Sequence, residues 1–126
     1  SLVWIDSGNG LIQAINSHAE WKIKLRTALI KKSTVDNVDS LTRDDCCAFG
    51  KWLKSEGRGQ YGASKTFQDC VRAHSDFHRA AGGIARVINE QHFEQAERML
   101  DNASVFAKAS NSVVQAIHAL KREAAH

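Results

Sequence analysis

Apolar residues in this 126-residue chain recur at intervals of three and four along its long stretches, and no proline interrupts any of them. Such spacing puts side chains on one face of an α-helix, so helices packed against helices are how this chain buries its apolar surface. Leu11, Ala14, Ile15, His18, Trp21, Leu25, Ala28 and Leu29 predict a helix over about 10–31. The polar stretch from Ser33 to Leu41 reads as a loop. Thr42 with Asp45 three residues on resembles a capping box, with Asp44 and Asp45 in the first turn, and predicts a second helix over about 43–56.

A glycine-rich turn follows, and then Phe67, Cys70, Val71, His74, Phe77, His78, Ala81, Ala85 and Ile88 predict a helix over about 64–88. Gly82 and Gly83 are its weak point, since glycine costs roughly 1 kcal/mol against alanine inside a helix. Phe93, Ala96, Leu100, Ala103, Ala107, Ser110, Val114 and Ile117 predict a fourth helix over about 91–122. Four such helices with short connections make an all-α, antiparallel four-helix bundle over residues 10–126. Residues 1–9 read as a linker or a remnant of expression, in which Trp4 and Ile5 can still pack.

Composition narrows the function classes. At 43% hydrophobic and 25% charged this is ordinary globular composition for one domain. Lys and Arg number 17 against 14 Asp and Glu, and they are scattered rather than gathered among aromatics, so they read as a solvated face and not as a nucleic-acid footprint. No apolar run reaches the length of a membrane span. Three cysteines, with Cys46 and Cys47 adjacent, suit no simple disulfide framework, and a reducing cytoplasm is the expected compartment.

Polar residues on the apolar stripes carry the chemistry. His74 and His78 stand at i and i+4 on one helix, so both imidazoles can reach one ion. Taken alone, such a pair also arises as two core histidines satisfied by hydrogen bonds, but two adjacent unpaired imidazoles are costly to bury. His18 lies on the inward stripe of the first helix. Cys46 and Cys47 offer two thiols: Cys46 groups with Phe49, Trp52 and Leu53 as ordinary core, while Cys47 stands beside Gly50, where a missing side chain leaves room for an ion. Spacing does not choose between them.

The run Cys47-Ala48-Phe49-Gly50-Lys51-Trp52, with His18-x-x-Trp21 upstream and His74-x-x-x-His78 downstream, resembles the bacterial chemoreceptor zinc-binding domain found on chemotaxis receptors and diguanylate cyclases. The resemblance runs from about Leu11 over nearly the whole chain. It implies a zinc ion held by His18, Cys47, His74 and His78, a homodimer, and a covalently attached signalling domain. Four protein ligands would close the zinc tetrahedron against a bound water, and no H-E-x-x-H glutamate follows His74, so an enzyme is not expected.

A zinc-held Cys47 thiolate is the form that oxidants such as hypochlorous acid attack, which makes a redox or zinc-responsive sensor the expected function. A purely structural zinc bundle or dimerisation module is the alternative. Asp36, Asp39, Asp44 and Asp45 could orient a histidine or tune the thiolate, although capping and solubility account for each. His92, His118 and His126 are expected at the surface. Trp21 and Trp52 are expected as core anchors, and Tyr61 as either a cover or an exposed ring.

Overall fold

Where a chain without proline stops its helices decides how it folds. The computed structural model describes residues 9–45, 47–101 and 104–124, which form seven helices and no strand. The first, α1 (Asn9–Lys31), ends as Lys32 takes a left-handed backbone at φ 53° and the Ser33 N–H reaches back to the Ala28 carbonyl. The same closure ends α5 (Lys65–Asn89), with Gln91 at φ 66° and the His92 N–H bonded to the Val87 carbonyl. Both are Schellman ends made without glycine, the residue that usually announces them. The start of α5 is announced: Ser64 Oγ accepts from the Phe67 N–H at 3.3 Å.

The second predicted helix is not continuous. Its span holds only α3 (Ala48–Leu53), while α2 (Val38–Thr42) forms in the stretch expected as a loop and α4 (Glu56–Tyr61) in the expected glycine-rich turn. The expected capping box at Thr42 does not form. Thr42 is the last residue of α2 and its hydroxyl donates back to the Val38 carbonyl at 2.9 Å, while Asp45 pairs with Arg43 and Asp44 with Lys54. The fourth predicted helix also divides, into α6 (Phe93–Met99) and α7 (Val105–Ala124). Ser104 Oγ accepts from the Ala107 N–H and restarts the helix, and the buried stripe of α7 is Phe106, Ala109, Val113, Ile117 and Leu120. Val114 and Ser110, expected inward, are half-buried. Trp4, Ile5, Cys46, Ala103 and His126 lie outside the described residues.

The long helices α1, α5 and α7 form three sides of the bundle, and α2, α3 and α4 together take the fourth. Thr66 and Asp69 of α5 share a groove with Ala116 and Ala119 of α7, whereas Arg79 and Ala80 share one with Val105, so these helices run antiparallel. Helices α1 and α5 run the same way: His18 meets His78 midway, and Val35, just after α1, is bonded in both directions to the side chain of Asn89 at the end of α5. Leu11, Leu25, Phe77, Ile84, Ile88, Val113, Ile117 and Leu120 form the fully buried centre. Gly82 belongs to this packing: a Cβ there would strike Thr42, including its Cβ at 2.8 Å and its Cα at 2.9 Å, so α2 can lie against α5 only where α5 has no side chain. Nothing lies within 4 Å of a Cβ on neighbouring Gly83.

Candidate metal centre

Three neutral imidazoles and a thiol meet at the middle of the bundle. His18 comes from α1, His74 and His78 from successive turns of α5, and Cys47 from the residue that caps the N-terminus of α3. The three histidines are 1–3% exposed and Cys47 is half-buried. Phe49 and Phe77 wall the cluster, with ring centroids 5.1 Å from His74 and 5.1 Å from His18 respectively. That side of the site is apolar.

Each ring is aimed by its outer nitrogen. His18 donates its Nδ1–H to the Ala14 carbonyl at 2.6 Å, and His78 donates its Nδ1–H to the Leu41 carbonyl at 2.8 Å. The Nε2 of each neutral ring is then a lone-pair acceptor. These two Nε2 atoms face one another at 3.4 Å, and His74 Nε2 stands 3.0 Å from His78 Nε2. Two lone pairs held that close in a low dielectric repel unless a cation lies between them. The Cys47 sulfur is 3.3 Å from His74 Nε2 and 3.6 Å from His78 Nε2.

Those spacings fit one ion. A tetrahedral zinc with bonds of about 2.05 Å to nitrogen and 2.3 Å to sulfur sets N···N edges of roughly 3.4 Å and S···N edges of roughly 3.6 Å. All four donor atoms lie within 4.8 Å of one another. A thiolate with three imidazoles is a borderline-soft set suited to zinc.

Electrostatics point the same way. Burial pushes His18 down to about 4 and His74 to about 2, helped at His74 by the neighbouring imidazoles and by Lys54. Burial also lowers His78, opposed by its bond to Leu41. All three are therefore neutral and ready to ligate at physiological pH. The Cys47 thiol is pushed up by burial, against the Gly50 N–H that donates to its sulfur at 3.3 Å. The protein alone does not make Cys47 a thiolate; a bound metal would.

Gly50 has a second role. A Cβ there would strike the Asp44 carbonyl oxygen and come within 3.1 Å of His74 Cε1. The missing side chain thus clears space for the ligand ring and for the chain that leads into α3.

The sequence reading singled out all four residues that the fold gathers. It missed what aims them, the backbone carbonyls of Ala14 and Leu41, because carbonyls carry no sequence signature. Of the carboxylates considered for that role, Asp36 is exposed and Asp39 is 3.6 Å from Arg86, whereas Asp44 lies near enough to favour the charged form of His78. His92 and His118 are exposed as expected. Trp52 is buried beside Phe49, but Trp21 is only half-buried, with the Lys24 ammonium 4.8 Å over its ring. Tyr61 is half-buried against Trp52.

The family model of the chemoreceptor zinc-binding domain matches residues 18–85, a stretch that begins at the first of the four histidine and cysteine donors and contains them all. It is shorter than the expected resemblance and leaves α6 and α7 outside. No curated protein and no solved structure matches the chain.

Proposed function

Because the chain belongs to the chemoreceptor zinc-binding domain family, we propose that His18, Cys47, His74 and His78 hold its zinc and that Cys47 is the input of a regulatory switch. Zinc is the cofactor of this family, and the cluster fits a zinc-binding sensor domain. One observation carries the ligand assignment: the Nε2 lone pairs of His18 and His78, each fixed by an Nδ1–H bond to a carbonyl, converge with the Cys47 sulfur on one point.

Bound zinc would supply charge that keeps the Cys47 sulfur deprotonated at neutral pH. Four protein donors leave no position for a reactive water, which argues for regulation over hydrolysis. The sulfur is the donor that chemistry can change. In the thiolate, an electron pair on sulfur attacks the chlorine of hypochlorous acid and hydroxide leaves; water then displaces chloride, giving a sulfenic acid and releasing a proton. A sulfenate is a poorer donor than a thiolate. Cys47 heads a six-residue helix that has little stability of its own, so weakening this one donor frees α3 while α1 and α5 remain packed.

The host is a bacterial signalling protein, a chemoreceptor or a diguanylate cyclase, whose output domain is joined covalently to this one in the cytoplasm. No described helix is long and apolar enough to cross a membrane. A homodimer is supported by the outer face of α1, where Ile12, Ile23 and Ile30 are 44%, 67% and 74% exposed along one side of the helix.

Metal analysis of the wild type, Cys47→Ala and Cys46→Ala tests the ligand set, with one zinc per chain expected in the first and last and a marked loss in Cys47→Ala. Equal losses in the two variants would overturn the assignment. Limited oxidation read by mass spectrometry with a zinc-release dye tests the switch. If Cys47 oxidises without zinc release, the site is a structural staple or a sensor of zinc concentration.

A further inference from the structure

A cavity of about 270 Å³ opens beside the metal centre, between α3–α4 and the first half of α5. Leu53, Phe67 and Val71 form its apolar wall, Lys54 and Arg58 bring two cations against the one carboxylate of Asp44, and His74 closes its inner end. His74 differs from the other two histidines. Its Nε2 faces Cys47 and His78, but among the described residues nothing accepts from its Nδ1. When Nε2 is on a metal, Nδ1 must carry the proton. That puts an unpartnered donor on a side chain only 1% exposed, at the inner end of the cavity.

The charges are unbalanced in the same direction. Lys54 shares the Asp44 carboxylate at 3.5 Å, whereas no described carboxylate lies within ion-pair distance of Arg58. One N–H with no protein acceptor, an excess of cationic over anionic side chains and an apolar wall are the features that recognise a carboxylate with a short hydrocarbon tail.

We propose that this cavity binds a small organic carboxylate, whose oxygens accept from the His74 Nδ1–H and meet Lys54 and Arg58 while its tail lies on Leu53, Phe67 and Val71. The proposal rests on the zinc reading, since a metal on Nε2 is what fixes the proton on Nδ1. Zinc and carboxylate then favour one another, and by linkage each tightens the other by the same factor. The sensor would read the metal and a metabolite class together.

The test uses zinc-loaded protein labelled with ¹⁵N-histidine and titrated with sodium butyrate at constant ionic strength, with sodium acetate and inorganic phosphate as parallel arms. A saturable shift confined to the His74 ring is expected, strongest with butyrate and weakened about tenfold or more in Lys54→Gln/Arg58→Gln. Zinc affinity, measured in a metal buffer, should rise about fivefold or more with butyrate present. No saturable shift means that the cavity holds water alone, and a shift unchanged in the double variant places binding elsewhere. Phosphate binding as tightly as butyrate would replace the carboxylate class with a simple anion. A His74 Nδ1 signal that moves in Asp44→Asn before any butyrate is added would make Asp44 the acceptor. Each of these overturns the proposal. Protein with one zinc per chain but no shift refutes the cavity alone, whereas protein that takes up no zinc refutes the metal reading with it.

Discussion

Adjacent glycines in α5 should respond to the same substitution with opposite signs. In Gly83→Ala the new methyl meets nothing within 4 Å, so the variant gains the helix propensity of alanine over glycine, about 1 kcal/mol, and no packing cost offsets it. For a chain of 126 residues that is a rise of about 4 °C in melting temperature. In Gly82→Ala the methyl gains the same propensity but strikes Thr42. Rotation of the threonine hydroxyl does not relieve this, because Thr42 Cβ at 2.8 Å and Cα at 2.9 Å are also in the way. The whole of α2 must move, so the upper part of the 1–3 kcal/mol range for overpacking applies and a net loss of about 2 kcal/mol remains. Urea unfolding of the zinc-free proteins measures both signs without the metal's contribution. The displacement should also carry off the Leu41 carbonyl that holds the His78 ring, lowering zinc affinity about 10- to 100-fold in Gly82→Ala and leaving it unchanged in Gly83→Ala. Stabilisation of both variants alike, or an unaltered zinc affinity in Gly82→Ala, would refute the placement of α2 as the support of His78.

The zinc-free protein should keep most of its helix by circular dichroism, because Leu11, Phe77, Ile117 and the other residues of the apolar core are buried without the metal, unlike a zinc finger. It should weaken in acid. Burial holds the folded-state values of His18 and His74 below the ordinary value of 6.5, so their contribution is whole above that pH and is lost as pH falls, down to about 4 for His18 and about 2 for His74. An unfolding free energy, read from urea titrations, lower at pH 5 than at pH 7 by about 2 kcal/mol per histidine is expected, and equal free energies would show that the rings are not buried neutral. Cys70, fully buried with its thiol pushed up to about 12, should resist alkylation and oxidation that consume Cys47 in the native protein, as mass spectrometry of partly labelled samples would show.

Much of the fold is written in the apolar period. The stripe of α5 from Phe67 to Ile88 is buried nearly as read, because a long amphipathic helix commits every third or fourth residue to one face. The fourth side was less legible. Thr42, Asp44 and Asp45 have the residue types of a capping box, yet three short helices form there because the hydroxyl and both carboxylates find other partners close by in space. The end of α1 at Lys32 was placed by periodicity alone, since a lysine in the left-handed region leaves no glycine to mark it. At the site, the four donors were legible as polar residues on apolar stripes. The choice of Cys47 over Cys46 came from family likeness, because adjacent cysteines differ by only one step along the chain; Cys47 belongs to the cluster, and Cys46 lies outside the described residues.

Sequence separation gives the cluster a topological consequence. His18 and His78, whose ring nitrogens meet at 3.4 Å, are 60 residues apart along the chain. One ion shared between them would close that span into a ring while the domain is folded, and because the site exists only in the folded chain, the free energy of binding the ion would add to the stability of the fold. Unlike a disulfide, such a closure would come and go with metal supply and, if Cys47 is the switch proposed above, with the state of one sulfur atom. On the proposed reading, the domain's resistance to unfolding would become a quantity that the cell can set within one protein lifetime, without making or breaking a covalent bond in the backbone.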